Sequence, residues 1–258
     1  MVNSPTIVSW GGGVNSTAMV IEMHRRQCVP DAILFADTGG EKPPTYAHLT
    51  EFSAWCVAHG LPAIVTVAND GMYRTLERNC LEQAMLPSIA YGFKSCSDKY
   101  KRRPQEKWAK NWAPAVECWA AGGKLRKAIG YDAGEPHRAK IPEDDEYRYW
   151  YPLVEWDMGR DECIATIRQA GLTVPSKSAC FFCPSSKKRE VLALAKDHPD
   201  LFERAVQMER TAAPNLTSVR GLGRSYSWET LVRADEAQGK LFPEAPSLPC
   251  MCFDGDDD

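Results

Sequence analysis

The feature that most constrains the fold is a run of three glycines between an apolar segment and an amphipathic one. It lies in the stretch Ile7-Val8-Ser9-Trp10-Gly11-Gly12-Gly13-Val14-Asn15-Ser16-Thr17-Ala18-Met19. Glycine tolerates positive φ and lets the backbone approach an anion, and the first N–H groups of a following helix point at that anion. Asn15, Ser16 and Thr17 add side-chain donors and residue types that cap helices. The order predicts a strand, a phosphate-binding turn and a helix; an ordinary glycine-rich turn is the alternative.

Two common phosphate motifs do not describe this turn, because no Gly-Lys-Ser/Thr follows it and the spacing is not Gly-x-Gly-x-x-Gly. The run Gly12-Gly13-Val14-Asn15-Ser16-Thr17 instead resembles the Ser-Gly-Gly-x-Asp-Ser signature of the PP-loop superfamily, which includes ATP pyrophosphatases and sulfonucleotide reductases. Gly11 replaces the first serine, and Asn15 replaces the aspartate. A second stretch, Leu34-Phe35-Ala36-Asp37-Thr38-Gly39, resembles the superfamily strand that ends beside the nucleoside.

Apolar periodicity predicts strands over residues 6–9, 32–36 and 63–67, with helices over 15–26 and 43–59 between them. Later segments predict strands over 128–131 and 149–153 and helices over 160–170, 187–196, 199–211 and 227–238. Alternating strands and helices favour a parallel twisted sheet flanked by helices. We expect an α/β fold, adenine nucleotide alpha-hydrolase-like by the resemblance. Its parts are a nucleotide-binding core over 1–155, a mostly helical, cysteine-containing extension packed on it over 156–253, and an acidic tail over 254–258.

Length and composition set the broad class. The 258 residues, 44% of them apolar, can bury a full core. No apolar run reaches the ~18 residues of a membrane span. The first residues lack the basic and apolar regions of a signal peptide. These observations predict a cytoplasmic protein without a membrane partner.

The chain contains ten cysteines, which in such a protein argue for metal, cluster or redox chemistry rather than a disulfide scaffold. Cys28, Cys56, Cys80 and Cys163 lie in apolar or helical patterns and are predicted to be small buried residues. Cys118 is left open.

Cys180 and Cys183 form a Cys-x-x-Cys pair, in which two thiolates can bind one metal or one cluster edge. Further ligands must come from elsewhere, with Cys96 and either Cys250 or Cys252 as candidates. The run from Cys96 to Pro104 resembles the Cys-Thr-x-x-x-Lys-x-x-Pro of the reductase and thiolation groups. The resemblance implies a [4Fe-4S] cluster on Cys96, Cys180, Cys183 and one of the last two, for which we choose Cys252. Zn²⁺ suits four thiolates equally well, and a redox pair at Cys180 and Cys183 is a third option.

The strongest local charge lies between Lys94 and Lys127, where ten lysines and arginines stand against three acidic residues. The whole chain carries a net charge of -3, so composition alone shows no general preference for nucleic acid. The cations Lys99, Lys101, Arg102 and Arg103 follow Cys96 and are expected near the phosphates, where they would stabilise a leaving pyrophosphate. The alternative is a solvated helical face. Trp108, Trp112 and Trp119 have the spacing of residues buried in a core, which we favour over base stacking.

A polar turn formed by Asp132, Glu135, His137 and Arg138 follows a predicted strand. It is equally consistent with a substrate or magnesium site and with a surface loop.

The resemblance implies that ATP, with Mg²⁺, is cleaved between its α and β phosphates to adenylate an acceptor that sulfur or another nucleophile then attacks. The implied nucleotide-binding residues are Ser9, Gly11, Gly12, Gly13, Asn15, Ser16, Thr17, Asp37 and Thr38. The implied catalytic residues are Ser16, Lys99 and Arg102. Relatives with this layout modify tRNA or DNA, so a nucleic-acid acceptor is expected, together with a sulfur-donor protein or a homo-oligomer.

Two other functions are compatible with the same motifs. A sulfonucleotide reductase would bind adenosine phosphosulfate at the glycine turn and attack its sulfur with a cysteine. That family's Glu-Cys-Gly-x-His motif is absent, and no two cysteines are adjacent. The third hypothesis is a non-catalytic adaptor that is stabilised by a bound metal and binds nucleic acid.

Overall fold

Five parallel strands form the centre of a computed structural model that describes residues 4–87 and 95–239. The strands are β1 (Thr6–Trp10), β2 (Ala32–Asp37), β3 (Ile64–Ala68), β4 (Leu125–Ile129) and β5 (Tyr147–Trp150). Their order in the sheet is β3-β2-β1-β4-β5, with every pair parallel. The predicted α/β fold with a parallel sheet flanked by helices is confirmed.

Helices cover both faces of the sheet and make up most of the described part of the chain after β5. They are α1 (Val14–Arg25), α2 (Pro43–Ala58), α3 (Leu76–Glu82), α4 (Ser95–Ser97), α5 (Arg103–Ala109), α6 (Ala113–Ala120), α7 (Pro152–Glu155), α8 (Arg160–Gln169), α9 (Lys188–Asp197), α10 (Pro199–Ala212) and α11 (Trp228–Gly239). A π-helical turn, Asp98–Arg102, joins α4 to α5, and 3₁₀ turns lie at Pro136–Arg138 and Ala213–Asn215. No helix among the described residues is long and apolar enough to cross a bilayer.

The central strands β1 and β2 are buried on both faces, as their apolar sequences require, whereas the edge strands β3 and β5 are partly exposed. Val8 and Phe35 belong to a cluster that includes buried residues of α1, α2 and α8. Ile7 and Leu34 belong to the opposite cluster, where Trp108, Trp112 and Trp119 also pack. The prediction that these three tryptophans serve the core is therefore confirmed.

A third cluster joins segments on either side of the predicted boundary near residue 155. It combines Leu76 of α3 and Tyr100 of the π-helical turn with Phe182 and with Leu201 of α10. The C-terminal helices therefore pack on the preceding α/β part of the chain through a shared apolar interior. The predicted acidic tail over 254–258 lies outside the described residues.

The structure differs from the predicted elements at several places, and helices α4, α5 and α6 in the basic segment were not predicted. β4 begins three residues earlier than predicted, because the buried Leu125 starts the strand and Gly130 follows its end. β5 ends at Trp150 rather than continuing to Leu153, since Pro152 opens α7, where a first-turn proline is tolerated. Helix α3 was not predicted, because it is short; Thr75 caps it by accepting a hydrogen bond from Arg78 N at 3.3 Å.

The cysteines predicted to be inert fall into two groups. Cys56, Cys80 and Cys163 are buried as predicted, and burial raises the pKa of each thiol to about 12. Cys118, left open above, is also buried. Cys28 differs from the prediction, since it lies half-buried in the turn after α1.

A buried carboxylate organises the loop between α10 and α11. Glu209 accepts hydrogen bonds from the backbone N–H of Leu222 at 2.6 Å and of Trp228 at 2.9 Å. Burial raises the pKa of Glu209, and the backbone donors oppose that shift only in part. The ionised side chain is therefore stabilised less well in the folded protein than in the unfolded chain.

We expect Glu209 to make the folded state less favourable as pH rises. A carboxyl with a raised native pKa stabilises the fold below its unfolded pKa of about 4.5, and this contribution disappears as pH passes the native value. Glu209→Gln should therefore gain stability relative to wild type between pH 4.5 and pH 8 in urea unfolding. The matched control is the exposed Glu203→Gln, which should show no such trend. A difference in unfolding free energy between wild type and Glu209→Gln that stays constant with pH would contradict this account.

Candidate functional site

The three glycines form the turn that connects β1 to α1. Gly12 has φ +76°, and a Cβ at this position would lie 3.0 Å from Cγ2 of Thr45. Gly13 is the N-cap of α1 and provides no side-chain cap, so the first N–H groups of the helix have no intrahelical or capping partner there. The buried Thr45 hydroxyl also has no hydrogen-bond partner among the described residues. Free main-chain donors and space that a side chain would fill are what an oxyanion needs.

Ser16 holds the shape of this turn. Its hydroxyl accepts a hydrogen bond from Gly11 N and donates one to Gly13 O, each at 3.2 Å. The side chain therefore joins the two ends of the turn. It is buried, which keeps this geometry fixed.

Asn15 explains one departure from the superfamily signature. Its Nδ2 donates to Asp132 Oδ2 at 2.8 Å, and its Oδ1 accepts from Arg160 Nη1 at 2.9 Å. An aspartate at position 15 would place a second carboxylate against Asp132, which is itself buried. An amide can donate to one neighbour and accept from the other, so asparagine suits this position. The predicted polar turn at Asp132 thus supports the glycine turn through Asn15.

The turn lies at the topological switch point of the sheet. β1 has β2 on one side and β4 on the other, and ligands of such sheets bind at the carboxyl ends of the strands at that point. Gly130 follows β4, and a Cβ there would lie 2.9 Å from Cα of Ser16. Any larger residue would push the end of β4 away from the start of α1.

Thr17 and Ser9 contribute less to the turn than the motif implied. The buried Thr17 hydroxyl accepts from Trp10 Nε1 at 3.2 Å and lies 3.1 Å from His48 Nε2. It is therefore used inside the core, and its backbone N–H bonds to Gly13 O at 3.1 Å. Ser9 lies within β1, between Leu34 of β2 and Ile129 of β4.

Asp37 shapes the turn after β2 and borders an open cavity. Its Oδ1 accepts hydrogen bonds from Gly39 N and from the Tyr46 hydroxyl, each at 2.8 Å. The cavity, of about 510 Å³, lies at the carboxyl ends of β2 and β3 and is lined by Asp37, Gly39, Asn69 and Arg74 among others. Small-molecule sites are ~300–1,000 Å³, so the space suits a nucleoside-sized group.

Thr38 links this turn to the cysteine pair. Its Oγ1 lies 3.0 Å from Cys180 Sγ and accepts from Gly40 N at 3.2 Å. Phe181 N donates to Gly40 O at 2.8 Å, and Glu41 and Cys180 form an isolated antiparallel bridge. Burial raises the pKa of Cys180 to about 12. As placed here, Cys180 is a neutral thiol held against the end of β2.

Glu41 is a buried carboxylate shared by two partners from distant parts of the chain. Its side chain is 0% exposed and accepts from Lys101 Nζ at 3.2 Å. The Ser178 hydroxyl lies 3.2 Å from Glu41 Oε2 and 2.5 Å from Gly11 O. Burial alone would lower the pKa of Lys101, but Glu41 and the nearby thiols raise it, so this lysine is charged. The network connects the glycine turn, the turn after β2 and the segment before Cys180.

Lys99 and Arg102, the predicted catalytic cations, have other partners in the structure. Lys99 lies over the rings of Tyr73 and Tyr100, at 5.8 and 5.5 Å. Arg102 pairs with Asp98 and Glu106 on its own helical segment. The cation that reaches Glu41 is instead Lys101, which the match to Cys-x-x-x-x-Lys-x-x-Pro identifies in the sequence. Glu41 and Ser178 have no comparable sequence signal, because neither belongs to a motif.

The predicted thiolate ligands are only partly placed by the structure. Cys96 and Cys183 pack against the same apolar cluster that contains Cys180. Within residues 4–87 and 95–239, however, no group of three His, Cys, Asp or Glu side chains is arranged to hold a metal ion. Cys250 and Cys252 lie outside the described residues. The described side chains alone do not complete a cluster or zinc site, and the four-thiolate set remains a prediction.

The fold and site together define a parallel α/β protein with a glycine turn at the switch point of its sheet. No protein-family model matches the chain, and no curated protein matches it in sequence. A solved structure with a similar arrangement is the U34-tRNA thiolase NcsA from Methanococcus maripaludis with its [4Fe-4S] cluster. The match covers 99% of this chain and 77% of that chain, at 14% identity and a TM-score of 0.46. Values this low assign neither substrate nor cofactor to this protein.

Lys101 and Glu41 should be energetically coupled. Lys101→Ala leaves the buried Glu41 carboxylate with only a hydroxyl partner and should cost about 2 kcal/mol, less than a fully buried pair because Lys101 remains 38% exposed. Adding Glu41→Gln removes the stranded charge, so the double variant should recover much of this loss. Urea unfolding of the two single variants and the double variant measures the coupling. Strictly additive effects would show that the pair is not a unit.

Proposed function

We propose that this protein is an ATP-using enzyme of the PP-loop type, which adenylates an acceptor and releases pyrophosphate. The glycine turn carries the proposal, because it presents unpaired main-chain N–H groups at the switch point of a parallel sheet. In this proposal Gly11, Gly12, Gly13 and Ser16 hold the phosphates. The adenosine lies toward Asp37 and the cavity beside it.

The charge around the turn supports a polyphosphate ligand. α1 has no acidic residue in its first turn, and its N-terminal dipole favours an anion. The Lys101 ammonium, in the π-helical turn, pairs with Glu41 in the segment after β2, and Ser178 connects that pair to Gly11. In the proposed reaction Lys101, the lysine of the Cys96-to-Pro104 motif, stabilises negative charge on the departing pyrophosphate, a role predicted above for Lys99 and Arg102. Mg²⁺ would accompany the nucleotide as its counter-ion.

Sulfur transfer is the proposed use of the adenylated acceptor. Two thiols, Cys180 and Cys183, follow directly from the segment that contacts the glycine turn at Ser178. The proposed ligands of an iron–sulfur cluster are Cys180, Cys183, Cys96 and Cys252. Such a cluster would bind or deliver sulfur. This part of the proposal depends on ligands that the described residues do not bring together.

Substitutions in the turn should remove nucleotide binding without unfolding the chain. Gly13 has extended backbone angles, so Gly13→Val is compatible with the fold. The valine side chain would occupy space beside the glycine turn. Ser16→Ala removes the hydroxyl that joins Gly11 to Gly13. We expect Gly13→Val to abolish ATP binding in calorimetry and Ser16→Ala to weaken it at least ~10-fold, the loss of about 1.4 kcal/mol that one charge-assisted hydrogen bond supplies.

Ser53→Ala is the matched control, because its hydroxyl also accepts one backbone N–H, from Ile64 at 3.1 Å, but lies at the amino end of β3. Labelled ATP distinguishes the reactions: AMP and pyrophosphate support the proposal. Sulfite release from adenosine phosphosulfate without ATP turnover would favour a reductase. Unchanged ATP affinity in both turn variants would refute the placement of the site.

Metal analysis tests the cysteine centre independently of ATP. Protein purified without oxygen should be brown and contain about four iron atoms per chain, as a [4Fe-4S] cluster requires. Cys180→Ser and Cys252→Ser should each lose the iron, whereas the buried Cys163→Ser should retain it. Colourless protein with stoichiometric zinc would replace the cluster with a zinc site, and full-length protein without either metal would refute both.

A further inference from the structure

The charge-rich segment between residues 94 and 127 is largely neutralised by the fold. Of its cations, Lys101, Arg102, Arg103, Lys107, Lys110 and Lys124 each pair with a carboxylate. Arg126 lies over the Trp150 ring at 4.4 Å, and Lys127 is buried. Six of the nine cations in the described residues 95–127 are therefore paired with carboxylates, and Lys99, like Arg126, lies over aromatic rings.

Uncompensated positive charge instead surrounds the turn that contains Cys180 and Cys183. We call Lys42, Lys177, Lys188, Arg220 and Arg224 the cationic surface. Within the described ranges, no carboxylate lies within ion-pair distance of Lys42, Lys188, Arg220 or Arg224. Glu190 binds Lys177 with both oxygens at 2.9 Å and is the acidic residue that offsets this group.

Lys188 adds to this field from the first turn of α9, where it is exposed. Glu190 lies in the same turn and accepts a hydrogen bond from Lys187 N at 2.9 Å, so one carboxylate already faces the positive end of the helix dipole.

A small cleft lies within the surface. It is lined by Lys42, Lys177, Glu190 and Trp228, among others, and has a volume of about 20 Å³. This volume is enough for one water molecule.

The loop that carries Arg220 and Arg224 is held in place. The Glu209 carboxylate accepts a hydrogen bond from Leu222 N, and Arg220 N donates to Arg224 O at 2.6 Å. Lys188 lies over the Tyr226 ring at 5.4 Å, which joins this loop to α9. The half-exposed Tyr226 thus adds an aromatic ring among the cations.

The cationic surface continues into the proposed active site. Lys177 immediately precedes Ser178, whose hydroxyl lies 2.5 Å from Gly11 O of the glycine turn. Lys42 immediately follows Glu41, and both lysines act on Glu190, lowering its pKa against the opposing effect of burial. A long anionic ligand on this surface would therefore reach the turn that binds the nucleotide.

We propose that the cationic surface binds the phosphate backbone of a nucleic acid, and that this nucleic acid is the acceptor of the reaction; the second clause rests on the proposed function. Repeated phosphates match cations spread over several elements, and an aromatic ring among them suits a base. A membrane fits less well, because the exposed large apolar residues of the described chain, such as Val57 and Met72, all lie outside this surface.

The test compares two double charge reversals in the full-length protein. Lys188→Glu with Arg224→Glu alters the cationic surface. Lys107→Glu with Lys110→Glu is the matched control, because it reverses two exposed lysines that already face carboxylates. The probes are a fluorescein-labelled RNA hairpin of roughly 20 nucleotides, a single-stranded DNA and a duplex DNA, each long enough for several phosphate contacts. Fluorescence anisotropy is measured across a series of salt concentrations.

We expect the surface variant to bind the preferred nucleic acid at least tenfold more weakly than wild type, and the control to stay within twofold. The slope of log affinity against log salt should fall by about 1.5 in magnitude, as the loss of two phosphate contacts predicts. The three probes show whether RNA or DNA is the source of the backbone. ATP affinity, measured on the same variants, should not change.

Several results would overturn this proposal. They are a wild-type protein that binds none of the probes, a control that loses as much affinity as the surface variant, and equal binding of poly-L-glutamate or of anionic vesicles. A chain that binds nucleic acid through this surface but does not bind ATP would instead refute the proposed function and leave the surface assigned.

Discussion

The buried Glu41 carboxylate is the constraint on which the site depends. A carboxylate that is fully removed from water is tolerated only with partners, and Glu41 obtains them from Lys101 and Ser178. Those partners come from segments about 60 and 137 positions away in the chain. One desolvated charge thereby fixes the relative positions of the glycine turn, the end of β2 and the cysteine pair. Loops that would otherwise move independently are held as one unit.

The sheet supplies the second condition, since parallel strands bring their carboxyl ends to a common edge. Each loop at this edge is shaped by groups that belong to the fold rather than to a ligand. Ser16 closes the glycine turn, Asp37 closes the turn after β2, and Asn15 meets Asp132 after β4. A preformed turn does not have to be ordered when an anion binds, so the binding free energy is not spent on folding the loop.

The density of cations along the sequence does not predict which of them are left unpaired in the structure. The sequence places its densest cations between residues 94 and 127, yet the helical geometry sets carboxylates four residues from several of them, as in the pairs of Arg102 with Asp98 and Glu106. Four cations near the cysteine pair, Lys42, Lys188, Arg220 and Arg224, lie at the start of α2, in the first turn of α9 and in the loop before α11. No single window of sequence contains them, and only the packing of these elements makes them one surface.

The sequence by itself determined the parallel α/β fold, most element positions and the place of the glycine turn between β1 and α1, because apolar periodicity and glycine's freedom at φ +76° act locally. It also identified Cys180 and Cys183, whose spacing is a local property. Only the tertiary structure decided that Lys101 pairs with the buried Glu41, that Ser178 connects this pair to the glycine turn, and that Asn15 donates a hydrogen bond to Asp132. Hydrogen bonds and ion pairs between distant segments depend on how the chain packs, and burial decides which charges must be paired.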